Sequence, residues 1–247
     1  MFKAHRIGRL FGVEVRVHGT MLLLAALVAL GSLLSAGLGG AIGSLLLIAM
    51  VFGSVTLHEL GHIGASALFG GRTLGVTLYP FGGVAQLTRE SRSGLEEIVV
   101  ALAGPAVNFV LAGLAALPLL LLGPVEPFFA FAGVNLALGL FNLIPAFPMD
   151  GGRVLRGALW RGLGRRRATE IAARSGRWFA LPFAALGLVW NPMLLLIAGF
   201  VWLQATHELH RLRDESPVAH VETVPHQGVW AHPVPDPGRQ VWVVRSG

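Results

Sequence analysis

The sequence contains no cysteine and few charged residues. Without cysteine there is no disulfide framework and no thiolate ligand, so any bound metal ion must be held by nitrogen and oxygen atoms. Charged residues make up 13% of the 247 positions and hydrophobic residues 54%, whereas about 25% of residues are charged in soluble globular domains. Together with a mean hydropathy of +0.67, this composition excludes an ordinary soluble domain and predicts an integral membrane protein.

Long apolar runs recur along the chain at the length of a membrane-spanning helix. Runs of about 17–25 apolar residues can cross the hydrocarbon core of a bilayer as an α-helix. Basic residues precede the first run and no small-residue cleavage site follows it before the second, so we expect a retained span and not a signal peptide. We therefore predict an all-α membrane protein with six transmembrane helices, near residues 20–37, 41–69, 95–122, 127–145, 172–190 and 192–210.

The positions of the basic residues test this count of spans. If the N-terminus is cytoplasmic, all 19 lysines and arginines fall in inner segments, as the positive-inside rule requires. We therefore expect a multi-pass protein of the inner (plasma) membrane of the cell, with both termini in the cytoplasm. The net charge of +6 is spread over loops and forms no single patch, so no nucleic-acid partner is predicted. The inner segments are 1–19, 70–94, 146–177 and the residues after 207.

Two regions follow from this organisation. Residues 1–213 hold the six apolar runs and form the predicted membrane domain. Residues 214–247 are short and rich in proline, which is typical of an extended tail with little core, and we expect them to be cytoplasmic. Within this tail, residues 240–245 have strand character and are a candidate for docking on the rest of the chain or on a partner.

The apolar run 41–69 contains the segment His58-Glu59-Leu60-Gly61-His62. On a helix the two histidines are one turn apart and share a face, which is the spacing that lets two imidazoles reach one zinc ion, with Glu59 beside them as a base. The string itself recurs by chance in many proteins. Its position is more informative, because an ionisable residue inside a membrane span costs roughly 2.5–3.5 kcal/mol on insertion scales and is functional by default.

A catalytic zinc site typically takes three protein ligands, so a third must be found outside this segment. Asp150 is the candidate, because it follows the fourth predicted span, which runs toward the same side of the membrane as the second. Pro145 and Pro148 disfavour a helix before it, while Gly151 and Gly152 permit unusual backbone angles. We expect the chain to unwind there and to direct the carboxylate sideways.

These motifs together resemble the site-2 protease family of zinc intramembrane metalloproteases. The similarity rests on His58 to His62, on Pro148-Met149-Asp150-Gly151, on Asn142 with Pro145, and on Gly104-Pro105-Ala106-Val107-Asn108, and it covers roughly residues 5–210. It implies zinc held by His58, His62 and Asp150, Glu59 as the catalytic base, and Asn142 near the substrate carbonyl. It also implies hydrolysis of peptide bonds in or near a membrane-spanning segment of another protein.

The segment 72–87 has a different pattern from the apolar runs. It alternates apolar and small or polar residues and then turns at Pro80, Gly82 and Gly83, which predicts a small membrane-associated β-hairpin after the second helix. We hypothesise that its edge, including Gly82 and Gly83, binds an unwound substrate as an added strand.

Other interpretations of these residues stay open at this stage. His58 and His62 could be a buried pair satisfied by their surroundings, and Asp150 could be a helix-terminal acid near Arg153. Asn142 could serve in hydrogen bonding between helices, and Asn108 is read as structural. For the whole chain, the alternatives are a membrane zinc transporter and a catalytically inert scaffold.

Overall fold

The structure is a computed structural model that describes residues 3–10, 12–80, 82–87, 90–123, 125–214, 229–235 and 240–246. The chain divides into two compact units, Met1–Arg213 and Asp214–Gly247. The first unit is largely helical and carries a small sheet. The second contains a two-stranded antiparallel sheet of β5 (Val229–Pro235) and β6 (Gln240–Ser246), so the predicted strand character of residues 240–245 coincides with β6.

Five helical elements account for most of the described part of the first unit. Two of them, the first and the fourth, change direction at a glycine with positive φ, Gly37 at 68° and Gly164 at 77°, a conformation that side chains disfavour. The first two predicted spans lie on either side of Gly37, and the fifth lies after Gly164. The helices are α1 (Gly19–Leu68), α2 (Gly94–Leu122), α3 (Glu126–Asn142), α4 (Asp150–Val189) and α5 (Met193–Asp214).

Two helices are long and apolar enough to cross a bilayer by length and composition, Gly19–Leu68 and Gly94–Leu121. Their surfaces carry many exposed leucines, including Leu34, Leu38 and Leu120. Large exposed apolar surfaces are rare on soluble monomers. The predicted spans on α3, α4 and α5 remain sequence-based expectations.

The sheet is larger than the predicted hairpin. It has four strands in the order β1-β2-β3-β4, in which β2 runs parallel to β3 and β3 runs antiparallel to β4. The segment 1–19, expected only as a basic inner segment, supplies the two additional strands. The strands are β1 (Ala4–Leu10), β2 (Val13–His18), β3 (Thr73–Tyr79) and β4 (Gly82–Leu87).

The sheet packs against the C-terminal half of α1. Val13, Val15 and Val17 on β2 are buried, and the polar residues between them are less buried, the period-2 pattern of a half-buried strand. They form a cluster with Val76 on β3 and Ile63 on α1. This packing places β3 and β4 beside the helical turn that carries His58 to His62.

The segment between α3 and α4 turns sharply and is held by neighbouring helices. It contains a cis Phe147–Pro148 peptide bond, and the Phe147 N–H donates to the Ala172 carbonyl at 3.1 Å. The expectation about the glycines was wrong, because Gly151 and Gly152 lie inside α4 with the helix beginning at Asp150. Their lack of a side chain serves close packing: a Cβ at Gly151 would lie 2.3 Å from the Leu143 carbonyl oxygen.

Candidate metal and catalytic site

Three side chains from two helices converge on one point. The Nε2 atoms of His58 and His62 on α1 lie 3.0 Å apart, and each is close to Oδ2 of Asp150 at the start of α4, at 3.0 Å and 3.1 Å. All three residues are buried. Among the residues that the structure describes, they form the one group of three or more metal-binding side chains.

The outer nitrogens of both histidines are also engaged. His58 Nδ1 lies 2.5 Å from Oδ1 of Asn108 on α2, and His62 Nδ1 lies 2.7 Å from the Val100 carbonyl oxygen on the same helix. Because both partners are oxygens that accept, each Nδ1 carries the proton and donates, which leaves the Nε2 lone pair directed at the cluster. Asn108, read from the sequence as structural, therefore contacts a site residue.

The donor set fits zinc. Two neutral imidazole nitrogens and one carboxylate oxygen are ligands that zinc accepts, and three protein ligands leave a fourth position open. Space for an ion exists because Gly104 on α2 faces the two rings: a Cβ there would lie 2.4 Å from His62 Nε2 and 2.6 Å from His58 Nε2. The absence of a side chain at Gly104 thus keeps this space clear.

Glu59 lies on the same turn of α1 and is half-buried. It is in direct contact with β4, since a Cβ at Gly83 would lie 2.6 Å from Glu59 Cγ and 3.1 Å from Glu59 Oε1. The predicted base therefore contacts the end strand of the sheet and is the residue next to His58 in α1. Gly82 begins β4 with a φ of 135°, a conformation that requires glycine.

Asn142 is a predicted site residue, and its side-chain hydrogen bond is made within its own helix and not to the ligand cluster. It is the last residue of α3, and its Nδ2 donates to the Leu138 carbonyl within the same helix at 3.0 Å.

The second carboxylate oxygen of Asp150, Oδ1, is paired with Arg153, whose guanidinium lies 3.4 Å away. The N-terminal end of α4 also favours a carboxylate at this position.

The chain resembles several known proteins over most of its length. A zinc metalloprotease of Methanocaldococcus jannaschii is 33% identical over 225 residues, covering 89% of this chain and 62% of that protein. The protein Rip3 of Mycobacterium tuberculosis is 35% identical over 253 residues, covering 93% of this chain and 64% of Rip3. The chain thus spans less than two thirds of the length of these two relatives.

A solved structure and a family profile agree with these similarities. The structure of a site-2 protease from Methanocaldococcus jannaschii matches with a TM-score of 0.65 and 32% identity, over 83% of this chain and 95% of that one. The sequence profile of peptidase family M50 matches residues 46–124 and 119–183, which include His58, His62 and Asp150. With two apolar helices of spanning length, these similarities indicate a membrane protein. The chain belongs to peptidase family M50, and its fold is that of a site-2 protease.

Proposed function

We propose that this chain is a zinc metalloendopeptidase of the site-2 protease type, which hydrolyses peptide bonds within membrane-spanning segments of other membrane proteins. The observation that supports this most is the convergence of His58, His62 and Asp150 beside Glu59. A metal ion bound by all three side chains would account for the burial of two imidazoles and a carboxylate at one point, because burying ionisable groups is costly unless they are paired or bind a metal.

The chemistry divides between the ion and the side chains. Zinc bound here would supply Lewis-acid chemistry, by acidifying water and polarising a peptide carbonyl. Glu59 would take the proton from the attacking water and return it to the leaving amine. Asn142 would bind the substrate carbonyl, since an NH₂ group has a second N–H beside the one directed at Leu138.

The depth of the site supports cleavage inside the membrane. At 1.5 Å per residue, His58 and His62 lie about 15 Å and 9 Å from the end of α1, which corresponds to the midplane and the inner half of a core about 30 Å thick. We propose the six spans and the cytoplasmic termini described above, which place this end of α1 at the cytoplasmic surface. Water would then enter from the cytoplasm by the shorter route.

The position of β4 supports the hypothesis of an added substrate strand. It is the last strand in the order β1-β2-β3-β4, and Gly83 lies against Glu59. A substrate helix must unwind before its peptide bond can be attacked, and pairing with a sheet edge would hold it extended. Gly82 and Gly83 are the proposed contacts at the end of this strand nearest the base.

Proline substitutions test this strand role. Successive residues of a strand point their N–H groups to opposite sides, so either Val84→Pro or Ala85→Pro removes a donor from the outer side of β4. One of these two variants should keep its thermal stability and lose cleavage. Cleavage at the wild-type rate by both folded variants would contradict the proposal.

The peptidase function itself is tested with purified protein and a membrane-spanning test substrate. Cleavage should occur, should stop on chelation and return with zinc, and should be absent in Glu59→Gln while that variant still binds one zinc ion. Zinc transport into vesicles that survives Glu59→Gln would instead support a transporter. Stoichiometric zinc without cleavage of any test substrate would support an inert scaffold.

A further inference from the structure

A line of buried polar side chains leads away from His58 and crosses three helices. Asn108 on α2 accepts from His58 Nδ1 and donates through Nδ2 to Oδ1 of Asn135 on α3, at 2.9 Å. Asn135 Nδ2 then donates to Ser54 Oγ at 3.1 Å and to the Phe131 carbonyl at 3.0 Å. Because Ser54 lies one turn before His58 on α1, the line returns to the helix that carries the ligand.

The two asparagine amides in this line cannot replace their side-chain hydrogen bonds with hydrogen bonds to solvent. Asn108 and Asn135 are both 0% exposed and Ser54 is 1% exposed, and a buried amide that loses its partner is left with an unsatisfied polar group. Every bond in the line donates in the same direction, away from His58. The orientation of Asn108 is therefore determined by Asn135. That of Asn135 is determined by the Phe131 carbonyl, which can only accept, because the Ser54 hydroxyl can either donate or accept.

This direction matters because an asparagine amide can turn over and exchange its oxygen for its NH₂ group. If Asn108 did so, it would offer a donor to His58 Nδ1, and the imidazole proton would move to Nε2. An Nε2 that carries the proton has no lone pair for a metal ion. His62 has no such alternative, because its partner is the Val100 backbone carbonyl, which can only accept.

We propose that Asn135 is a positioning residue of the metal site, which holds the amide of Asn108 in the one orientation that makes His58 a ligand. Asn135 does this by offering its own oxygen to Asn108 Nδ2, while its NH₂ group is held by Ser54 and Phe131. The inference rests on the proposed function only in requiring that His58, His62 and Asp150 bind zinc.

Zinc affinity of the full-length protein, measured by competition with a chromophoric chelator, tests the proposal without reference to activity. Asn135→Leu removes the oxygen that holds Asn108 and should weaken zinc binding by about 10- to 100-fold, the range for loss of a supporting partner of a metal ligand. If leucine is too large for this position and the variant does not fold, Asn135→Ala lacks the same oxygen and should show the same loss of zinc affinity. Wild-type zinc affinity in a folded Asn135→Leu or Asn135→Ala variant would overturn the proposal.

A second background separates positioning from general packing. A carboxylate at residue 108 can only accept from His58, so Asn108→Asp makes the proton position independent of Asn135. In the Asn108→Asp background, Asn135→Leu should change the zinc affinity less than about twofold. A smaller effect there than in the wild-type background is non-additive, which identifies residues 108 and 135 as coupled. An equal loss in both backgrounds would show a packing effect and would also overturn the proposal.

Thr56→Val is the matched control. Thr56 is a buried residue of α1 whose hydroxyl donates to the Phe52 carbonyl at 2.7 Å within the helix, so this change removes a buried hydrogen bond outside the line. Its zinc affinity should stay near that of the wild type, and a loss as large as that of Asn135→Leu would contradict the proposal. If Asn135→Leu bound zinc normally and the wild type cleaved substrate, the positioning role would fail while the peptidase function stood.

Discussion

Gly104→Ala adds a single methyl group to α2 at the point where the two imidazole rings meet. The new Cβ would lie 2.4 Å from His62 Nε2 and 2.6 Å from His58 Nε2, whereas real Cβ atoms essentially never approach closer than 3.0 Å. The rings must therefore retreat by about 0.4–0.6 Å. Distances from zinc to a ligating nitrogen fall within about 0.2 Å of about 2.0–2.1 Å.

Separating the helices would relieve this clash only by breaking their close packing. Gly61, next to His62 on α1, packs so closely on α2 that a Cβ there would lie 2.7 Å from the carbonyl oxygen of Ala103, the residue before Gly104. The methyl group must then displace the imidazoles themselves. Since loss of a hydrogen-bond partner of a ligand already costs about 10- to 100-fold in metal affinity, displacing two ligands should cost more than about 100-fold, or roughly 2.8 kcal/mol.

The assay is chelator competition for zinc, together with the metal content of the purified protein after dialysis. Gly113→Ala on the same helix is the control, because a Cβ there meets nothing within 4 Å and alanine favours a helix over glycine by about 1 kcal/mol. This control should bind zinc normally. Wild-type zinc affinity in Gly104→Ala would refute the placement of the ion between these two rings.

Two further substitutions act on other parts of the site. Gly83→Ala should move Glu59 but not the metal ligands, because its Cβ would lie 2.6 Å from Glu59 Cγ. We expect kcat to fall about tenfold or more while the zinc affinity is unchanged. A normal kcat would contradict the contact between β4 and Glu59. Arg156→Met should lower the stability in detergent by about 3–5 kcal/mol, because it leaves Glu97, which is 1% exposed, without the guanidinium that bonds it at 2.8 Å. Arg174→Met, which breaks an exposed pair, should cost less than about 1 kcal/mol, and equal losses in the two arginine variants would argue against a buried ion pair.

The metal-binding residues could be predicted from the sequence because their spacing has few physical interpretations. Histidines four residues apart share a helix face whatever the tertiary structure, and a buried carboxylate after a proline-rich turn needs a partner. The position of the turn could be predicted from Pro145 and Pro148. The close packing that leaves no room for a side chain at Gly151 could not be predicted, because it depends on the approach of the Leu143 carbonyl in the folded turn.

The N-terminal strands and the amide line were missed for different reasons. Val13, Val15 and Val17 alternate as in a strand, but the arginines around them fit a basic inner segment equally well, so the sequence alone does not predict β1 and β2. Asn135 lies within an apolar run and belongs to no recognisable motif. Its role becomes visible only when α2 and α3 pack together and bring it within 2.9 Å of Asn108.

X-ray absorption at the zinc edge of the purified protein tests the central claim most directly. The account predicts one zinc ion per chain, with two imidazole nitrogens at about 2.0–2.1 Å and carboxylate oxygen in its first coordination sphere. Asp150→Ala should remove the carboxylate oxygen, and His58→Ala should remove one imidazole. A zinc ion bound with no imidazole, or a spectrum that neither substitution alters, would contradict the account.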